Sequence, residues 1–204
     1  EAQDQQFSKT RPQNLAILRR MRALTDRYPD RMMVGEVGEA ERQVAVMALY
    51  SSGGDKLHMA YSFAFLGPER TAAHFRRRLT EFLDAAPGGW PCWSFSNHDV
   101  TRHATRWTPP GGDAEAVARQ SIALLCSFPG TIGIYQGEEL GQTETEIEFH
   151  ELRDLGYIAF WPEIRGRDGC RTPMVWEHDR LAGGFTTGTP WLPVKPPQLA
   201  RAAD

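Results

Sequence analysis

Two short apolar runs in this chain end at a carboxylate. MMVGEV, residues 32–37, carries Glu36, and CWSFSNHDV, residues 92–100, carries Asp99 with His98 beside it. A third run, TIGIYQ, is followed by Glu138 and Glu139. Acids at the carboxyl ends of parallel strands gather at one mouth of a sheet. Converging carboxylates are costly unless they share protons, donors or a substrate. Glycoside hydrolysis uses such a set: one carboxyl group protonates the leaving oxygen and others bear the charge of the sugar cation. His98 adds a neutral donor for sugar hydroxyls. Each motif alone also has a plainer reading. A Gly-Glu dipeptide carries little information, and Asn97-His98-Asp99 suits a turn with a helix cap.

Strands must deliver those acids, and the periodicity supplies them. Residues 13–28 read as a helix, with Leu15, Leu18, Met21 and Leu24 near one face and Pro29 as the stop. A strand is expected over 31–37, a helix over 40–50 and a strand over 57–66. Phe75, Leu79, Phe82 and Leu83 mark a helix over 69–85, followed by a strand over 92–97. Asp113 caps a helix over 113–128 that carries Val117, Leu124, Leu125 and Phe128; Pro129-Gly130 ends it, and 131–136 is a fourth strand. Strands alternating with helices imply parallel pairing with right-handed crossovers, an α/β fold covered on both faces. From 138 to 204 no long periodic segment remains, yet Trp161, Trp176 and Trp191 make the tract too aromatic for disorder. It reads as a long ordered loop or small subdomain.

Composition narrows the function classes. The chain has 204 residues, 41% hydrophobic and 24% charged, with net charge −3 and pI near 6.1. That gives no electrostatic case for nucleic acid or an anionic membrane. No apolar run approaches the roughly 20 residues that span a bilayer. The opening EAQDQQFSKT is too polar and acidic for a secretory signal. Cys92, Cys126 and Cys170 lack metal-like spacing and read as free, mostly buried thiols in a reducing cytoplasm.

Taken together, the motifs resemble the α-amylase superfamily, glycoside hydrolase family 13, in its α-glucosidase and oligo-1,6-glucosidase branch. MVGEV is similar to the family's general-acid segment on the fifth barrel strand, and FSNHD to the segment of the transition-state-stabilising Asp on the seventh. YQGEELG resembles the end of the eighth strand; GRDGCRTPMVW and AGGFTTGTPWLPV resemble the segment that follows it. The resemblance implies the second half of a (β/α)8 TIM barrel, about strands 5–8. Residues 1–140 would form the half-barrel, and 141–204 an active-site-facing segment that ends before the last barrel helix and a C-terminal β-sandwich.

Residue by residue, the resemblance makes Glu36 the acid/base and Asp99 the carboxylate that binds the distorted sugar. His98 is the sugar-hydroxyl donor, and Arg171 holds the non-reducing-end glucose, with Arg167 a weaker neighbour. Arg102 either positions the carboxylates or makes a surface salt bridge; Phe63, on the sixth strand, either lines the aglycone side or is core. Glu138 braces loop backbone. The family's nucleophile pattern, G-x-R-x-D, does not occur upstream of residue 31, so the nucleophile and the other half-barrel are expected outside this chain, which alone would be inactive. No cofactor or metal is expected among these residues, although a structural calcium or magnesium ion can belong to the N-terminal half. The expected parent is a cytoplasmic retaining α-glucosidase acting on α-glucosides or malto- and isomalto-oligosaccharides. The alternatives are a glucosyl transferase or sucrose isomerase on the same site, and, from another class, a non-catalytic barrel such as a transporter heavy-chain ectodomain.

Overall fold

The structure, a computed structural model, describes residues 7–204; the first six residues of the polar opening stretch lie outside it. The chain forms two compact units that interleave along the sequence. Unit one runs to Trp93 and takes in Phe128–Gly133; unit two comprises Ser94–Ser127 and Ile134–Asp204. The division at residue 140, by contrast, follows chain order.

Unit one holds the strands. Its elements are α1 (Gln13–Thr25), β1 (Val34–Val37), α2 (Gln43–Ser51), β2 (Met59–Ser62), α3 (Ala72–Ala85), β3 (Cys92–Trp93) and, after an excursion into unit two, β4 (Thr131–Ile132). β1 pairs parallel with β2, Ala60 of β2 bridges in parallel to Pro91, and β3 pairs parallel with β4, so neighbours in sequence are neighbours in space. The carboxyl ends of all four strands therefore share one edge. The strands are shorter than the apolar runs. β2 stops because the Ser62 hydroxyl accepts the Ala64 N–H at 3.4 Å and turns the chain into a single 3₁₀ turn, Phe63–Phe65. This corrects the placement of Phe63, which lies just past the strand and half-buried.

An aromatic cluster fills unit one. The Phe65 ring lies 5.2 Å from Phe75, 5.0 Å from Trp93 and 5.6 Å from Phe128, and Phe82 meets Trp93 edge-on at 5.8 Å. α2 adds Val44, Val46, Met47 and Ala48, all fully buried. The apolar face expected on α1 is not covered: Met21 and Leu24 are exposed, and none of this helix's residues is buried. The Trp93 indole donates to the Pro129 carbonyl at 2.9 Å, tying the Pro-Gly turn to β3. Gly130 is required there. Its φ is +108°, and a Cβ would stand 2.6 Å from the Pro91 carbonyl oxygen.

Unit two carries α4 (His103–Arg106) and α5 (Ala114–Cys126), and beyond them mostly single turns separated by loop. The 138–204 tract is ordered by buried polar groups rather than by long elements. The Gln142 amide donates to the carbonyls of Gln198 and Arg201, and the hydroxyls of Thr145 and Thr172 share a bond of 3.1 Å. No helix among the described residues is long and apolar enough to cross a membrane.

Two predictions follow from these local structures. Asp113 caps α5, accepting the N–H groups of Glu115 and Ala116 at 2.9 and 3.1 Å, so Asp113→Ala should cost about 1 kcal/mol in denaturant unfolding. Burial pushes the Cys92 thiol up to about 11 and the Cys170 thiol up to about 12, whereas Cys126 is exposed. At neutral pH a thiol reagent should therefore label Cys126 in the native protein and reach the other two only on denaturation. Rapid native labelling of all three would contradict the buried placement.

Candidate functional site

Glu36 is the penultimate–edge residue of β1, next to last in the strand, and its side chain is exposed at the carboxyl end. The parallel register sets Tyr61 directly opposite, and the Tyr61 hydroxyl donates to Glu36 Oε1 at 2.5 Å. That bond orients the carboxyl group. Tyr61 carried no sequence signal; only the register of β1 on β2 picks it out.

In unit two the chain turns at Asn97-His98-Asp99, where the Asn97 side-chain oxygen accepts the Asp99 N–H at 2.9 Å, an Asx turn. The turn reading and the functional reading are therefore compatible. Two arginines then meet the Asp99 carboxylate: Arg167 Nη1 donates to Oδ1 at 2.8 Å and Arg171 Nη2 to the same oxygen at 3.0 Å. Arg171 Nε also donates to the His98 carbonyl at 2.7 Å, so a single guanidinium fixes both the backbone and the carboxylate of this motif. The His98 ring is half-exposed, with Nε2 3.7 Å from Asp99 Oδ2, beyond hydrogen-bond range. Arg167, weaker than Arg171 in the sequence reading, thus contacts Asp99 at least as closely.

The two arginines are presented together because they bracket a one-turn 3₁₀ helix, Asp168–Cys170. That turn is pressed against the chain at Glu144 and Thr145. A Cβ on Gly169 would stand 2.4 Å from a Glu144 carboxylate oxygen and 2.6 Å from the Thr145 carbonyl, so only glycine fits. The Gly169 carbonyl accepts the Thr145 N–H at 3.1 Å.

Arg102 corrects the surface reading and bears on Asp99 only indirectly, through the loops it braces. It is 2% exposed, not a surface ion pair, and its donors go to loop carbonyls rather than to Asp99: Nη1 to Gln136 at 2.7 Å and Nη2 to Cys170 at 3.0 Å. Those buried carbonyls need donors, and the guanidinium supplies them. The Tyr135 hydroxyl makes a second bond to the Cys170 carbonyl at 3.0 Å, and the Arg102 guanidinium lies 5.1 Å from the Tyr135 ring centre. Glu144 accepts the Arg102 N–H at 2.8 Å; burial pushes its carboxyl above the ordinary range, partly offset by that bond and by the charges of Arg102 and Arg106. Glu138 is a backbone brace: it accepts the Tyr135 N–H at 2.7 Å and lies 2.8 Å from His103 Nδ1, with its side chain 2% exposed. Phe63 lies half-buried in the turn after β2, and its part in a site is a proposal.

Comparison with known proteins gives these geometries a setting. The model of the alpha amylase catalytic domain matches residues 1–200. A curated relative from Rhizobium meliloti, named "Probable alpha-glucosidase", is 48% identical over 201 residues, covering 98% of this chain and 36% of its own length. An oligo-1,6-glucosidase from Heyndrickxia coagulans is 34% identical over 129 residues, covering 54% of this chain and 23% of its own. Among solved structures, an alpha-glucosyl transfer enzyme, XgtA, superposes with a TM-score of 0.86 at 46% identity, over 95% of this chain and 35% of that one. The trehalulose synthase MutB from Pseudomonas mesoacidophila superposes with a TM-score of 0.76 at 25% identity, over 94% and 40%. The chain thus spans about a third of the length of these relatives. With the match running over residues 1–200 and the four strands parallel in sequence order, the chain belongs to the alpha-amylase family and carries part of its TIM-barrel catalytic fold.

Proposed function

We propose that the protein containing this chain is a retaining α-glucosidase that releases terminal α-linked glucose from oligosaccharides or simple α-glucosides. The observation that carries the reading is the Asp99 carboxylate, held by two guanidiniums at 2.8 and 3.0 Å beside His98, in a chain 48% identical to a relative named for that activity. A fixed carboxylate in a sugar-binding turn supplies negative potential where an oxocarbenium-like transition state develops positive charge. Glu36 protonates the glycosidic oxygen, and a carboxylate outside residues 1–204 attacks the anomeric carbon. Glu36 then takes a proton from water as the glycosyl ester is hydrolysed. His98 and Arg171 hold sugar hydroxyls, with Phe63 toward the aglycone. The 141–204 segment carries Arg167 and Arg171, and the uncovered apolar face of α1 suits packing against the other half of the barrel.

Glucosyl transfer is a second reading, favoured by the likeness to XgtA and MutB. It differs only in whether a sugar hydroxyl or water accepts the glycosyl intermediate. Product analysis separates the two: with maltose at high concentration, free glucose as the dominant product supports hydrolysis, and trisaccharides or isomerised disaccharides support transfer.

In the full-length protein, Glu36→Gln should lower kcat on maltose by about 10²–10⁴, because Gln is nearly isosteric but transfers no proton. A nitrophenyl α-glucoside, with its good leaving group, should lose less in the glycosylation step. Maltose turnover within threefold of the parent would remove Glu36 from the acid role. Arg171→Lys should raise KM and lower kcat/KM together, because a point charge cannot hold the His98 carbonyl and the Asp99 carboxylate at once. Unaltered kinetics would return Arg171 to a purely structural part. Residues 1–204 alone should release no glucose from either substrate, because a retaining site needs a nucleophile about 5–5.5 Å from the acid.

A further inference from the structure

We propose that Asp154 is a positioning residue that divides the charge of Arg167 between itself and Asp99, and so keeps Asp99 available to a cationic sugar. The inference rests on the reading of Asp99 given above. Asp154 is not in any of the motifs that marked the site, and it lies 55 positions beyond Asp99.

The geometry is that of one cation bridging two anions. Arg167 Nε donates to Asp154 Oδ2 at 2.6 Å and Nη2 to Oδ1 at 3.2 Å, a two-pronged pairing along one edge of the guanidinium. The remaining nitrogen, Nη1, donates to Asp99 Oδ1 at 2.8 Å. Arg171 Nη1 approaches Asp154 Oδ2 at 3.8 Å. The Arg167 guanidinium also lies 5.4 Å from the Tyr157 ring centre, so its plane is held on a further side. The Asp154 side chain is 8% exposed, and the Arg167 bond holds its carboxyl below the ordinary range.

Asp154 is itself fixed from behind. Asp168 Oδ2 accepts the N–H groups of Arg153 at 2.6 Å and Asp154 at 2.9 Å, and Asp168 is 2% exposed. Because Asp168 follows Arg167 in sequence, the loop closes on itself: the backbone of Asp154 is held by Asp168, and its carboxylate holds Arg167.

Without the Asp154 charge, the Arg167 guanidinium falls to Asp99 alone, and the potential facing a bound sugar shifts toward positive. Such a field penalises a cationic ligand and leaves a neutral one nearly untouched. A residue that merely held the loop in shape would weaken both alike.

The test compares two ligands on the full-length protein: glucose, which is neutral, and a protonated iminosugar of the same ring shape. Asp154→Asn should weaken the iminosugar about tenfold more than glucose and lower kcat more than it raises KM. Asp154→Glu, which keeps the charge, should restore most of the iminosugar preference. Arg167→Gln should abolish the effect of Asp154→Asn, so that the double variant is no worse than Arg167→Gln alone. Equal losses for both ligands, or additive losses in the double variant, would overturn the proposal. If Asp154→Asn does not fold, as judged by circular dichroism, the comparison of Asp154→Glu with Arg167→Gln decides: a preference lost in both would overturn it as well. Asp99→Asn serves as the control. If that variant keeps the iminosugar preference, the reading of Asp99 fails; if it loses the preference while Asp154→Asn does not, only the role of Asp154 fails.

Discussion

One buried cation, the Arg102 guanidinium, holds together the part of unit two that presents Asp99. It joins the loop after β4, through the Gln136 carbonyl, to the turn between Arg167 and Arg171, through the Cys170 carbonyl, while its own N–H is accepted by Glu144. Taking a guanidinium out of water is costly unless its donors are met and a counter-charge is near. Here the Gln136 and Cys170 carbonyls meet Nη1 and Nη2, and the Glu144 carboxylate provides the charge. Removing the cation would take the guanidinium donor from the Gln136 carbonyl, at about 1–3 kcal/mol, and leave the Cys170 carbonyl to the Tyr135 hydroxyl. The turn it anchors is the one that carries both arginines of Asp99, so the geometry of the Asp99 carboxylate depends on a residue that does not touch it.

The two units share apolar packing but differ in how much buried polar pairing they add. Unit one is an apolar construction, in which Phe65, Phe75, Trp93 and Phe128 pack ring against ring and parallel strands need little beyond their ladders and helices. Unit two has its own apolar contacts, with the Phe95 ring 4.8 Å from Trp107, and adds to them the pairing of buried Arg102, His103, Glu138, Asp168, Thr172 and Gln198. Polar order of this kind is directional. Each bond fixes an angle as well as a distance, which suits a segment whose task is to aim side chains. It is also intolerant of small changes, as the contacts a Cβ on Gly169 would make with Glu144 and Thr145 indicate.

The family membership bears on the two carboxylates unequally. Glu36 sits at a strand end, where the backbone ladder fixes its place and the Tyr61 hydroxyl helps set its direction. Asp99 sits six residues beyond β3, in a loop, and relies on arginines from a distant segment. A strand-end acid is thus defended by secondary structure, and a loop acid by tertiary contacts that can be tuned independently of the sheet.

What the sequence alone determined is what depends on near neighbours. The order of the longer helices and strands, the stop at Pro129-Gly130, the Asp113 cap and the strand-end place of Glu36 were legible, because periodicity, capping and turn chemistry act over a few residues; Asp99 lies in a loop beyond a strand shorter than its apolar run. The family motifs added the fold and drew attention to Glu36, Asp99 and Arg171. Tertiary structure alone decided which partners those residues have. Tyr61 is 25 positions from Glu36, Arg167 is 68 from Asp99, and Arg102 is 68 from Cys170. Arg102, read as positioning the carboxylates or as a surface ion pair, is a buried brace that acts on Asp99 through the loops, and Phe63, read as strand, lies in a turn, for the same reason. A side chain's type shows which bonds it can make, but only the path of the loops determines which groups come within 3 Å of it.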